Sequence, residues 1–217
     1  MDPLTDDMAR ALARLADVLP RCGPELWASL GGPVSDDDLE ALRGAVAPFV
    51  LPAELVLLLR THDGQPEHQG TRLPWWPSMD MGPLLPARVM AEGQLQLREH
   101  VEPWQWSRAW LSISREGWWQ SVLDLSSPQG GVVVDASWPD LPRVVAPSLV
   151  HVLDGVSTLA EAGLLDEHKQ DVALGPARDS LLAELWADAW AHSPYPPRTE
   201  IDPGTWPAAW GGPHALP

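Results

Sequence analysis

Between Asp6 and Leu19 the apolar positions Met8, Leu12, Leu15 and Leu19 recur every three or four residues, the spacing of one helix face. Asp6 and Asp7 stand at its start, where the helix dipole favours negative charge, and the segment Pro20 to Pro24 is expected to end it. Gly31-Gly32-Pro33-Val34 reads as a turn. Ser35 is placed to cap a second helix, with Asp36, Asp37 and Asp38 in its first turn and Leu39, Leu42 and Val46 as its apolar stripe. The stretch Pro48 to Pro52 breaks the chain, and Pro52 suits the first position of a short helix carrying Leu55, Leu58 and Leu59. Thr61-His62-Asp63-Gly64 stops that helix, with Gly64 suited to a left-handed conformation.

Arg72 to Pro83 gives mixed signals, with Trp75, Trp76, Pro77, Met79 and Met81 set between turn residues, and reads as a short strand or an ordered loop. Pro86 to His100 follows as a helix with Val89, Met90 and Leu97 inward and Gly93 as its weak point. Trp110 to Ser114 alternates apolar and polar, which predicts a strand with Ser112 and Ser114 on a polar outer face. Trp118 to Leu125 and Val132 to Val134 predict two more strands, and Arg143 to Ala146 a short edge. Their short connections favour an antiparallel meander. Pro147-Ser148 leads into a helix with Leu149, Val152, Leu153, Val156 and Leu159. After a polar connection, Ala177 to Ala191 is predicted to be one helix with Leu181, Leu182, Leu185, Trp186 and Trp190 on its apolar face. His192 to Pro217 is rich in Pro and Gly and has no periodicity; its Trp206 and Trp210 are expected to clamp it onto the domain, the alternative being a flexible recognition segment. The sum is an α+β chain: a small antiparallel β-sheet flanked by helices, with a C-terminal helix and a Pro/Trp-rich tail.

Composition narrows the function classes. The 217 residues allow one domain of ordinary size plus an extension, and 45% hydrophobic content suffices for a core. No run approaches the roughly 20 apolar residues needed to span a bilayer, so no membrane partner is expected. The acidic opening MDPLTDDMAR is unlike a signal peptide, and a cytoplasmic location is the expectation. Cys22 is the single cysteine, so neither an intramolecular disulfide nor a cysteine-based zinc site is available within the chain. Lys and Arg number 14 against 30 Asp and Glu, a net charge of -16, which disfavours direct nucleic-acid binding and draws basic partners. Lys169 is the one lysine, and with abundant Ala, Leu, Pro and Trp this also fits the bias of a GC-rich genome. Aromatic usage is skewed, with 13 Trp against one Phe and one Tyr, and Trp is a favoured residue of binding hot spots.

Motifs for chemistry are missing from the sequence. The nearest approach to a ligand cluster is His62, Asp63, Glu67 and His68, but its histidines are six apart across a glycine rather than on one helix face, and a helix stop explains the segment more simply. There is no nucleophile elbow and no glycine-rich phosphate loop. The acidic triplet at Asp36 is better read as helix capping than as a cation site. No catalytic residue, metal or cofactor is therefore expected.

Five phrases taken in order resemble the SUKH superfamily, the SMI/KNR-like fold common among bacterial toxin-immunity proteins. They are GGPVSDDDLEAL from Gly31; LPAELVLLLRTHDGQ from Leu51, with its "hDG" turn; Trp110-Leu111-Ser112-Ile113, similar to a "W-x-P-I" strand with serine for proline; Gly117 with Val122-Leu123-Asp124-Leu125; and Gly130-Gly131-Val132-Val133 with Val145-Ala146-Pro147-Ser148-Leu149. The resemblance covers residues 24 to 160, leaves 66 to 108 idiosyncratic and stops short of the last 50 or so residues. It implies a domain at 1–165 and a helical extension and tail at 166–217. It also implies a binding module rather than an enzyme. Bacterial members commonly neutralise a cognate toxin, often a nuclease, by occluding it, while fungal relatives regulate cell-wall signalling.

Both Trp75-Trp76 and Trp118-Trp119 would place one indole on each side of a strand. An exposed indole flanked by Asp80 or Glu116 makes an anchor for a basic protein surface. The candidate partner-binding set is thus Asp63, Trp75, Trp76, Asp80, Glu116, Trp118, Trp119, Asp135 and Asp140. The expected partner is a cognate protein toxin or another basic protein, with a scaffold of the same fold lacking any toxin as the alternative. A monomer is expected.

Overall fold

Met8, Leu15 and Leu19 have no exposed surface, so the stripe read from the sequence is the core face of α1, Pro3–Cys22. The computed structural model describes residues 3–65, 82–100, 106–116, 119–126, 133–135, 143–165 and 175–192. Contrary to expectation, α1 runs through Pro20. A proline this close to the end removes one amide bond, while Gly23 N–H still closes the last turn on the Leu19 carbonyl at 2.9 Å and Arg21 braces Asp17 at 2.7 Å. Pro24 then starts α2, Pro24–Ser29.

Helix α3, Asp36–Val46, begins as predicted: Ser35 Oγ accepts from the Asp38 amide at 3.1 Å and donates to the Asp38 carboxylate at 2.7 Å. Leu39, Leu42 and Val46 are buried. Arg98 closes its far end, donating to the Val46 and Ala47 carbonyls at 3.0 and 2.9 Å. Helix α4, Ala53–Thr61, starts one residue later than predicted, with Pro52 as its N-cap.

Helix α5, Ala87–His100, is rotated from the expected orientation. Its buried residues are Ala87, Met90, Ala91 and Gln94, which meet α3 and the sheet, whereas Val89 and Leu97 are only half-buried. The sheet is an antiparallel meander in the order β1-β2-β3-β4, with β1 Trp110–Glu116, β2 Trp119–Asp124, β3 Val133–Asp135 and β4 Arg143–Ala146. A bulge at Ile113 shifts the β1–β2 register between Ser112, opposite Val122, and Ser114, opposite Ser121. Leu111, Ile113, Leu123 and Ala146 join the main core.

The predicted polar outer face of β1 is corrected here. Ser112 and Ser114 are both buried, because the sheet is covered on both sides: Val122, Asp124 and Val144 are buried on the face that carries Ser112. Ser114 Oγ donates to the Gly82 carbonyl at 2.5 Å, and the Leu84–Leu85 segment pairs along the edge of β1.

Helix α6, Leu149–Glu161, is the spine of the fold and packs on α1, α4 and β4. Arg14 ties α1 to it through Thr158 at 3.1 Å and Glu161 at 2.7 Å. The predicted C-terminal helix is two helices, α7 Gly175–Leu185 and α8 Ala187–His192, broken at Trp186. Trp186 is buried and its indole N–H donates to the His151 carbonyl at 3.1 Å; Leu182 is buried beside it, while Leu185, expected on the apolar face, is exposed. The Pro-rich tail with Trp206 and Trp210 lies outside the described residues.

Candidate protein-binding face

The segment His62 to Gln65 leaves α4 and threads between two neighbours, the Gly31-Gly32 loop on one side and the strap 84–87 on the other. Backbone bonds fix both sides: Gly31 N–H to Gly64 O and Asp63 N–H to Gly32 O, each 2.7 Å, and Gln65 N–H to Leu84 O at 2.7 Å. The side chains complete the clasp. His62 Nδ1 donates to the Gly31 carbonyl at 3.1 Å while its ring meets Trp27 edge-on at 5.1 Å. Gln65 accepts from the Leu84 amide at 2.9 Å and donates to Ser29 Oγ at 2.6 Å.

Gly64 has φ +65°, as the sequence suggested, but not as the cap of α4, which ends three residues earlier. A Cβ at Gly64 would sit 2.5 Å from the backbone of Leu85 and Pro86, so glycine is required by a close approach of two chains.

Asp63, the one candidate partner residue whose side chain is described, is half-buried in this clasp, and its Oδ1 accepts the Ala87 amide at 2.7 Å. It thereby caps the first turn of α5 from outside the helix. Burial raises its pKa, the bond from Ala87 opposes that, and nearby Asp38 adds to the rise. The head of α3, the clasp and the head of α5 therefore form one surface. Asp36, Asp37 and Glu40 stand exposed on its α3 side, Asp36 lying 3.8 Å from Arg60 and Glu40 3.0 Å from Arg43.

Of the other candidates, Trp75, Trp76, Asp80, Trp118 and Asp140 lie outside the described residues. Glu116 ends β1 directly opposite Trp119 at the start of β2, and Asp135 faces Ser121 across the β2–β3 ladder. These three backbone positions therefore share one end of the sheet.

Among the described residues no three His, Cys, Asp or Glu side chains gather as a metal site, and Glu67 and His68 of the segment considered for one fall outside those residues. Two titratable groups with shifted pKa values, one buried and one half-buried, escaped the sequence reading. Asp124 is wholly buried in β2; its Oδ1 accepts from Ser126 N–H at 2.9 Å and Ser126 Oγ at 2.6 Å, and Oδ2 has no hydrogen-bond partner among the described residues. Burial pushes its pKa up to about 6, against the opposing bonds from Ser126. At the head of α6, His151 Nδ1 lies 2.8 Å from Ser148 Oγ, and burial lowers the histidine pKa.

The reading also missed an open groove between α5 and the β1–β2 hairpin, of about 150 Å³, lined by Val89, Gly93, Leu97, Arg115 and Gln120 among others. The signal for it was the glycine inside a helical pattern.

Compared with models of known protein families and with curated proteins, the chain matches none.

Proposed function

We propose that this chain is a non-enzymatic protein-binding module whose acidic surface docks a basic protein, in the manner of an immunity protein that occludes a cognate toxin in the cytoplasm. The observation that carries this reading is the α3 head: Asp36, Asp37 and Glu40 are exposed on a helix whose start is capped by Ser35 and whose flank is locked by the clasp. Asp36 and Glu40 are shared with Arg60 and Arg43 and Asp37 has no such partner among the described residues; fixed carboxylates of this kind offer a basic partner's cations preformed positions without a large ordering cost on docking. The chain's net charge of -16 extends the attraction beyond the contact itself. The resemblance of the ordered phrases to the SUKH superfamily supports the same class of function. No helix among the described residues is long and apolar enough to cross a membrane.

The test is direct titration of the purified chain with the proteins encoded beside its gene, at low and high salt. A complex whose association rate falls steeply with ionic strength supports the proposal. Failure of every basic neighbour-encoded protein to bind would overturn it, and capture only of signalling or envelope-synthesis proteins would move the function to the scaffold alternative.

A further inference from the structure

The groove between α5 and the β1–β2 hairpin combines three features that packing alone does not account for. Its helical wall carries Val89 and Leu97, two apolar side chains left half-buried, with Gly93 midway between them. Glycine weakens a helix interior, and here no close contact requires it, since a Cβ would meet nothing within 4 Å. The missing side chain leaves the floor of the groove open at this point. Opposite stands Arg115, beside Gln120. Arg10, Arg14, Arg21, Arg43, Arg60 and Arg88 all have carboxylate partners. Arg115, like Arg98, Arg108 and Arg178, makes no ion pair among the described residues, and of these four it alone lines the groove. Glu92, the one carboxylate among the described groove residues, is held by Arg88 Nε at 2.9 Å.

We infer that this groove is a binding site for a small monocarboxylate with a compact apolar body, its head group on Arg115 and its body over Gly93 between Val89 and Leu97. The guanidinium fork matches a carboxylate and the amide of Gln120 adds a donor. The volume of about 150 Å³ sets the size, since an engineered apolar cavity of about that volume admits benzene. The groove adjoins the clasp at Leu85 but uses none of Asp36, Asp37 and Glu40, and its occupancy does not depend on the protein-binding proposal.

Benzoate is the probe, with benzamide as its uncharged counterpart, followed by methyl NMR shifts of Val89, Met90 and Leu97 in the full chain. A ligand of this size binds in the millimolar range. Benzoate is expected to give saturable shifts, with benzamide about fivefold weaker, the gain of an exposed but bidentate ion pair. Arg115→Gln should weaken benzoate by a similar factor and Arg115→Lys by less, while Arg108→Gln, outside the groove, should leave it unchanged. Gly93→Leu fills the groove and should abolish the shifts; Gly93→Ala, which folds more readily, should weaken them. Absence of saturation by benzoate, or equal affinity in the parent and Arg115→Gln, would overturn the site.

Discussion

The carboxylate of Asp63 accepts the Ala87 amide hydrogen at 2.7 Å, so a residue from the turn after α4 caps a helix that begins 24 positions later. Removing that cap with Asp63→Ala is expected to cost about 1–2 kcal/mol of stability, whereas Asp63→Asn, which keeps an acceptor, should cost only a few tenths. Urea denaturation of the two variants measures the difference. Equal losses would mean that charge rather than the hydrogen bond holds the head of α5.

Two glycines should respond in opposite directions. At Gly64, alanine meets both a positive φ of 65° and backbone atoms 2.5 Å away, and Gly64→Ala should destabilise by about 2 kcal/mol or more. At Gly93 a Cβ meets nothing within 4 Å, and Gly93→Ala should stabilise by about 0.5–1 kcal/mol. Thermal unfolding of both variants checks the sign. A stabilised Gly64→Ala would contradict the close approach of the clasp to Leu85.

Asp124 makes the pH dependence unusual. Its pKa of about 6 in the fold lies above the ordinary carboxylate value of 3.8, so between those limits the folded chain holds more proton than the unfolded one. Unfolding free energy then falls as pH rises through that window, by on the order of 3 kcal/mol in total, and the stabilisation is complete only below the unfolded pKa. Other carboxylates contribute their own slopes, so the informative quantity is the difference between the parent and Asp124→Asn. That difference should change between about pH 4 and 6 and stay flat above; a flat difference throughout would show that Asp124 is solvated.

Much of the architecture was legible because local periodicity and burial coincide. The Met8, Leu12, Leu15 and Leu19 stripe is buried, Ser35 caps α3 as its spacing suggested, and the four strands run as a meander. What escaped depends on contacts distant in sequence. Alternation in β1 cannot tell a solvent-facing serine from one covered by another segment, and Ser112 and Ser114 are covered. Nor can the 3.6-residue period of α5 choose between two adjacent stripes; α3 and the sheet select Ala87, Met90 and Ala91 over Val89 and Leu97. The clasp was visible as a motif at His62-Asp63-Gly64-Gln65, but its partners at Ser29, Gly31, Leu84 and Ala87 arrive only with the fold. A residue proposed for a partner, Asp63, thus has a structural task that no local pattern reveals.

The most direct test of the account is the association rate of a basic neighbour-encoded protein with the chain and with a variant carrying Asp36→Asn, Asp37→Asn and Glu40→Gln. All three residues are exposed on α3 and none belongs to the clasp. The variant is expected to associate about fivefold or more slower at low salt, with the gap closing as salt rises and the dissociation rate little changed. An unchanged association rate in the variant would contradict the claim that the acidic head of α3 is the docking face.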